Sequence, residues 1–363
     1  MALLNTNLIS TVAAPVNFVL METLLSAARK RLPYHNGTLP GKLEKMQGAA
    51  SVKWRRIENL TAVTTALGEG AESVTPAFGN GRDSVRPVIT DVTTAIEKFG
   101  NAITLSEEVD LINVNSNSAS LMDTLGANAG ESLNALARNV MDGQSTIVKA
   151  CGGAATTLLA SVSTAITLNA IKFVVNRLQR NSAMKFTPNA FGSTNVNTQP
   201  VRSSFYGICH VDVEEDIRGL TGFIPVEQYG GYTETEPGEF GAVAGVRFCS
   251  TETAPVTSDG STESIVAGSF NESSALLHHV YHTHIYGREA MGTIGLGEQH
   301  AKEIYQMYER VPTVELIQHK PGSSGVADPF NERGSLAWKA WWGGKRLNEN
   351  WMGKIWSLAS RLG

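Results

Sequence analysis

The sequence has few charged residues and no excess of basic ones. Asp, Glu, Lys and Arg together make up 18% of its 363 residues, the formal net charge is -4 and the pI is about 6.1. A protein that condenses nucleic acid by its own charge is clearly basic. The composition therefore excludes that class and limits any contact with DNA to weak, local or non-specific binding.

Cysteines are scarce, and long apolar segments are missing. The three cysteines, Cys151, Cys209 and Cys249, are far apart and form no CxxC pair. This argues against a disulfide framework or a zinc cluster and favours a reducing cytosol. The most apolar segment, residues 8–25, is interrupted by polar residues and lacks a basic flank. We therefore expect no signal peptide and no membrane partner, and a helix that begins near Pro15.

Motifs of catalysis and nucleotide binding are also missing. The sequence contains no P-loop, no GxGxxG after a strand, no GxSxG and no HExxH. The acidic pairs Glu107–Glu108 and Glu214–Glu215 are adjacent in sequence, so on a helix their side chains point apart and make poor acid/base partners. We predict that the protein is not an enzyme and uses no cofactor.

The segments that remain predict an α+β fold, because long helices mix with mostly antiparallel strands. Residues 51–60 and 85–105 have strand character, and the Gly-, Ser- and Thr-rich residues between them predict a long hairpin with a mobile tip. Further strands are predicted at 205–211, 242–248 and 276–286. A short helix is predicted at 213–218, and a solvent-exposed insertion near 250–275.

Two longer helices are predicted from apolar spacing. The first is capped by Asn117 or Ser118 and extends to about Val148, with an apolar stripe of Leu121, Leu125, Ala129, Leu133, Leu136 and Val140. The second is capped by Ser163 or Thr164 and ends near Arg180. Its predicted buried face is Ile166, Ala170, Phe173, Val174 and Leu178.

A histidine-rich strand is the one cluster of metal-ligand residue types. His278, His282 and His284 share one strand face, but the first and last are about 20 Å apart at 3.3 Å per residue. That distance is too long for one ion, so only His282 and His284 could share a metal. We favour histidines at the surface or at a subunit interface, where protonation would make the contact sensitive to pH.

The C-terminal residues 311–356 contain five of the six tryptophans. Leu336, Trp338, Ala340 and Trp342 share one strand face, whereas Trp341 lies on the other, and residues 351–358 form a returning strand. Large aromatics on both faces predict that both are covered, one by the core and the other by the long helix or a neighbouring subunit. The alternative is a two-sided core within one chain.

Arginines beside aromatic residues indicate contacts between subunits. Trp54, Arg55 and Arg56 lie together on the first hairpin strand, and arginine is enriched at interfaces because its planar fork pairs with carboxylates. A nucleic-acid contact is the alternative for this group. The remaining interface candidates are Arg82, Arg86, His278, His282, His284, Arg333 and Trp341.

The order of these segments resembles that of a known family. The matching segments are VKWRRIENL (52–60), LGEG (67–70), TDVTTAIEKFGNAITLSEEVDL (90–111), LGANAGESLNALARNVM (125–141), FTPNAFGS (186–193) and GSSGVADPFNERGSLAWKAWWGGKRLNENW (322–351). Together they resemble the major capsid (coat) proteins of tailed double-stranded DNA phages, which have the HK97-like fold, and most of all the N4-like phage group. Residues 219–275 depart from the pattern.

The resemblance implies a division of the chain into an N-terminal arm (1–50), an extended loop (51–104), a peripheral domain (105–150 with 305–363) and an axial domain (151–304). It implies self-assembly into pentamers and hexamers of an icosahedral head that encloses double-stranded DNA. Further implied partners are portal, scaffolding and decoration proteins. The protein would be made in the host bacterial cytoplasm and end in the virion.

Two alternatives stay open at this point. One is an encapsulin-type shell, which shares the fold but encloses an enzyme cargo in place of DNA. The other is an oligomeric metal-dependent enzyme built on the histidine strand 278–284.

Overall fold

The computed structural model describes residues 33–40, 51–64, 87–106, 118–152, 159–186, 203–229, 238–258, 279–293, 314–319 and 332–360, except 36, 59, 61 and 63. Within them lie three α-helices: α1 (Ser118–Asp142), α2 (Leu168–Arg180) and α3 (Val211–Arg218). The strands are β1 (Leu39–Pro40), β2 (Ser51–Ile57), β3 (Ile89–Ala95), β4 (Glu97–Ser106), β5 (Val148–Ala150), β6 (Phe205–His210), β7 (Ile224–Pro225), β8 (Glu239–Val243), β9 (Val246–Thr251), β10 (Val256–Ser258), β11 (His279–Tyr286), β12 (Met291–Thr293), β13 (Val314–His319), β14 (Arg333–Trp342), β15 (Gly344–Arg346) and β16 (Met352–Ser357).

The strands form four sheets in the described part of the chain. The largest has the order β5-β16-β11-β6-β9-β8-β7, with β10 paired to β11. A second sheet has the order β13-β14-β4, a third has β1-β12-β15, and β2 and β3 form a two-stranded ribbon. Helices α2 and α3 pack on one face of the large sheet, and α1 lies between its other face and β14.

The predicted hairpin is confirmed by its antiparallel pairing. The ribbon β2-β3 pairs Ser51 with Ala95 and Ile57 with Ile89, so the chain leaves and returns at the same end. Exposed and half-buried residues alternate along β3, as a ribbon covered on one face requires. The predicted tip, residues 68–84, lies outside the described residues.

Helix α1 confirms the strongest sequence prediction but ends earlier than predicted. Its buried stripe is Met122, Leu125, Ala129, Leu133, Ala137 and Met141, whereas Leu121, Leu136 and Val140 lie half-buried at its margin. The predicted end near Val148 is wrong because the chain turns at Gly143. There the side chain of Gln144 donates hydrogen bonds to the carbonyls of Ile147 and Met352, and β5 follows.

Two other boundaries differ from prediction for local reasons. Helix α2 is capped by Thr167, whose hydroxyl accepts from the Ala170 amide, and not by Ser163 or Thr164. Residues 242–248 form two strands and not one, because Ala244 and Gly245 both adopt positive φ and turn the chain. An Ala in the left-handed region gives no sequence signal for such a turn.

The tryptophan-rich segment divides between two sheets. Strand β14 pairs with β4 and β13, whereas β16 lies between β5 and β11 in the large sheet. On β14, Leu336, Trp338, Ala340 and Trp342 are buried against α1, and the opposite face with Trp341 is half-buried. The two-sided core is therefore wrong for this strand within one chain.

Candidate functional site

The end of the hairpin that lies away from the core exposes a group of apolar side chains. Ile57, Leu60, Val88 and Ile89 are each between 51% and 63% exposed. The ribbon continues past β2 through a hydrogen bond of 2.9 Å from the Glu58 amide to the Val88 carbonyl. We call these four residues the ribbon patch. Ile57 and Ile89 are cross-strand partners on one face and Val88 lies on the other, so the patch surrounds this end of the ribbon, and such exposed apolar groups mark sites of interaction.

The base of the ribbon is fixed to its own chain. The ring of Trp54 packs against Leu347 and against the backbone of Gly292, and it is 9% exposed. The interface contact predicted for Trp54 is therefore wrong, because the chain itself covers the ring. The Arg56 guanidinium donates to the Leu347 carbonyl at 2.9 Å and pairs with Glu58, which also holds it against the subunit.

Other interface candidates are at least partly exposed or lie outside the described residues. Arg55 is exposed and pairs with Asp91, with 3.0 Å between Nε and Oδ1. Arg333 is exposed at the start of β14, and Trp341 is half-buried with the Lys98 ammonium 4.8 Å from its ring centroid. Arg82, Arg86 and His278 lie outside the described residues. Interface roles for these residues stay predictions.

The histidines of β11 lie inside the subunit, so the surface position predicted for His282 and His284 is wrong. They are 5% and 1% exposed because the C-terminal end of α1 crosses β11 and β16 above them. The Asp142 Oδ1 atom lies 2.6 Å from His282 Nδ1 and 3.2 Å from His284 Nε2. The Lys354 Nζ atom lies 3.5 Å from the same oxygen and donates to the Asp142 carbonyl at 2.8 Å.

The electrostatics of this cluster follow from its position at a helix C-terminus. A carboxylate is unfavourable there, since the helix dipole is negative at that end, and the Lys354 ammonium offsets it. Burial raises the pKa of the Asp142 carboxyl, but the hydrogen bonds from His282 and His284 outweigh burial and hold that pKa well below its usual range. Burial lowers the pKa of His284, although Asp142 opposes the shift.

A segment near the N-terminus joins the same cluster. The Tyr34 hydroxyl lies 3.4 Å from His284 Nδ1, and the Tyr34 amide donates to the side chain of Asn134 at 3.1 Å. Burial raises the pKa of the Tyr34 phenol. The cluster thus ties residues 33–35, α1, β11 and β16 into one polar contact inside an apolar core.

The contacts of the cluster disfavour metal binding. No group of three metal-ligating side chains with suitable geometry occurs in the part of the chain that the structure describes. The Lys354 ammonium lies beside the Asp142 carboxylate, where a metal ion would have to bind, and two like charges there repel. The geometry favours a structural role for the histidines. Among the described helices, none is long and apolar enough to cross a membrane.

Several residues in these contacts have no signal in the sequence. Asp142, Lys354 and Tyr34 come from three distant segments, and none lies in a recognisable motif. The same holds for buried Arg247, which lies 3.8 Å from the Glu239 carboxylate and whose guanidinium carbon is 5.4 Å from the Tyr229 ring centroid. Only the alternation on β11, which placed His282 and His284 on one face, could have suggested a shared partner.

Comparison with known proteins gives a result at the level of structure alone. No family model and no curated protein matches the sequence. The capsid of Ralstonia phage GP4 matches with a TM-score of 0.58 and 11% identity, over 92% of this chain and 93% of that one. The cyanophage P-SCSP1u capsid and the head of Helicobacter pylori bacteriophage KHP40 each match with a TM-score of 0.51.

The cyanophage and KHP40 chains are similarly low in sequence identity to this chain, and both match it over nearly their full length. The cyanophage chain is 10% identical and matches over 91% of this chain and 89% of its own. The KHP40 chain is 11% identical and matches over 91% of both. Since the matches leave no large part of either chain unpaired, they concern the whole fold. The chain has the α+β fold of phage capsid proteins, the HK97-like fold.

Proposed function

We propose that this protein is the major structural subunit of an icosahedral phage head that encloses double-stranded DNA. The observation that carries the proposal is the structural match to a phage capsid chain over 92% of this chain and 93% of that one. The described residues support it, because their buried polar cluster holds distant segments together. Four of their seven exposed large apolar residues lie together on the ribbon.

The ribbon patch supplies the first surface for self-association. Burying Ile57, Leu60, Val88 and Ile89 under a second copy removes apolar surface from water, which stabilises by about 25 cal/mol per Å². A two-stranded ribbon has little core of its own, so a neighbouring subunit that covers it also stabilises it. Pentamers and hexamers built this way need no ligand and no catalytic group.

The finer assignments belong to the same proposal. They are the N4-like group, the arm, extended-loop, peripheral and axial domains at the boundaries given above, and the portal, scaffolding and decoration proteins as partners. Synthesis in the host bacterial cytoplasm precedes incorporation into the virion. The packing of α1 against β14 supports a peripheral domain built from both segments. Strand β16 pairs with β11 and so connects that domain to the axial one.

Negative-stain electron microscopy of the purified full-length protein tests the proposal. We expect closed shells, or pentamers and hexamers, at neutral pH. Monomers or one small discrete oligomer under all solution conditions would contradict it. Particles that enclose a protein cargo and no DNA when isolated from the native source would instead identify an encapsulin-type shell.

A further inference from the structure

Helix α2 presents a basic face that no carboxylate in the described part of the chain neutralises. Its sequence, LNAIKFVVNRLQR, contains no acidic residue. Ala170, Ile171, Val174, Val175 and Leu178 are buried against the large sheet. At 100° per residue, Lys172 and Arg180 fall on the opposite side and Arg177 falls at its edge, and all three are exposed.

A fourth cation extends this face. Lys149 on β5 lies beside α2, with its ammonium 5.7 Å from the centroid of the Phe173 ring, and the Arg177 guanidinium carbon lies 5.5 Å from the same centroid. The ring therefore holds two cationic groups near each other by cation–π attraction. None of the four cations forms an ion pair with a carboxylate among the described residues.

The neighbouring helix shows that this is a local feature of α2. Helix α3 has the sequence VDVEEDIR, and its arginine, Arg218, already pairs with Glu214 at 2.7 Å. Helix α2 packs over β5, β16 and β11, whereas α3 packs over β6 and β9. The basic residues of α2 and the acidic residues of α3 therefore lie over opposite halves of one sheet face. In a chain with a net charge of -4, three cations on α2 and a fourth beside it, none paired with a described carboxylate, form a concentrated basic site.

The spacing of the cations fits a phosphate backbone. Lys172 and Arg180 are eight residues apart, which is about 12 Å along a helix. Double-stranded DNA carries a negative charge about every 1.7 Å of its axis, so that length faces several phosphates. Three or four cations on a rigid helix can bind them without contacting any base.

We propose that the exposed face of α2, with Lys149, binds the phosphate backbone of double-stranded DNA without regard to sequence. This inference rests on the proposed function, because a phage head brings its wall against packaged DNA. It places the weak, non-specific DNA contact on one helix of the large sheet. The contact holds DNA by charge alone, so salt weakens it steeply.

Fluorescence anisotropy of a labelled 30-base-pair duplex with unassembled full-length protein tests the proposal at about 50 mM salt and above. The variant is Lys172→Gln, Arg177→Gln and Arg180→Gln together. The control is Arg218→Gln with Arg288→Gln, which removes positive charge from exposed arginines that pair with carboxylates of their own chain. Circular dichroism checks that both variants fold.

We expect the α2 variant to lose at least about tenfold in affinity and the slope of log K against log salt to fall by about 3. The control should stay within about twofold of wild type. Equal loss in both variants, or wild-type binding by the α2 variant, overturns the proposal. The proposal is also overturned if wild type does not bind DNA and the α2 variant fails to assemble. In that case, the partner of the basic face is an acidic surface of a second copy.

Particle formation by wild-type protein is scored separately by electron microscopy. Failure of wild type to form shells or capsomers would count against the proposed function. Shells that form normally while the α2 variant binds DNA like wild type would count against this inference alone.

Discussion

The hydrogen bond between Trp342 and His35 predicts that the subunit loses stability in mild acid. The indole Nε1–H of Trp342 donates to His35 Nε2 at 3.2 Å. An indole nitrogen can only donate, so the bond requires a neutral imidazole with a free acceptor nitrogen. Protonated imidazole donates from both nitrogens, so protonation breaks the bond between residues 33–35 and β14.

The size of this loss of stability follows from the shift in the pKa of His35. Burial of the ring nitrogens lowers the pKa of His35 from 6.5 to about 4. Because the folded-state pKa is lowered, the unfolded chain takes up the proton first. The stability contributed by neutral His35 is complete above pH ~6.5 and is lost as the pH falls toward 4. The loss is about 2 kcal/mol at pH 5 and about 3 kcal/mol well below pH 4.

Urea unfolding of unassembled subunits, followed by tryptophan fluorescence at pH 7.5 and pH 5, measures this loss. The matched variant is His35→Gln, since its side-chain oxygen accepts from Trp342 but does not titrate. Other groups, including His284, contribute equally to both proteins. We expect wild type to lose about 2 kcal/mol more than the variant between the two pH values. Equal losses would refute the role of His35.

Three further predictions concern packing and assembly. Trp342→Ala should lower the free energy of unfolding by about 3–5 kcal/mol, because the Trp342 side chain is buried against α1. Trp341→Ala should lower it by under about 1.5 kcal/mol, and equal losses for both variants in urea unfolding would contradict the burial pattern. Deletion of residues 68–84 should leave the subunit folded, as judged by circular dichroism, but prevent stable shells. Shells that form with wild-type yield would make the extended-loop assignment wrong. The double variant Ile57→Asp with Val88→Asp should abolish shells in electron micrographs without unfolding the subunit, because an unpaired charge is unfavourable under a neighbouring subunit. Normal assembly of this variant would exclude the ribbon patch from the interface.

Sequence patterns predicted the elements whose signal lies within one segment. The repeated spacing of apolar residues located α1, and strand character flanking a Gly-rich segment located the β2-β3 ribbon. The helix end was missed because Gln144, which satisfies the carbonyls of Ile147 and Met352, is an ordinary polar residue outside its structural context.

Local sequence patterns do not predict features that depend on contacts between distant segments. Alternation placed His282 and His284 on one face, but their partner Asp142 is about 140 residues away in sequence and has no motif. The division of the tryptophan-rich segment between two sheets has the same cause. The pairing partners of β14 and β16 lie elsewhere in the chain, and strand character alone does not identify them.

The position of β16 has a consequence for the timing of folding. This strand follows all the other described strands in sequence, yet it lies between β5 and β11 in the interior of the large sheet. The edges of β5 and β11 that face β16 therefore stay unpaired until residues 352–357, which come after both strands in the chain, are in place. Completion of the sheet depends on contacts of long sequence separation, which form slowly. A folding intermediate that lacks β16 consequently exposes two unpaired strand edges in its largest sheet, and such edges are the sites at which partly folded chains aggregate.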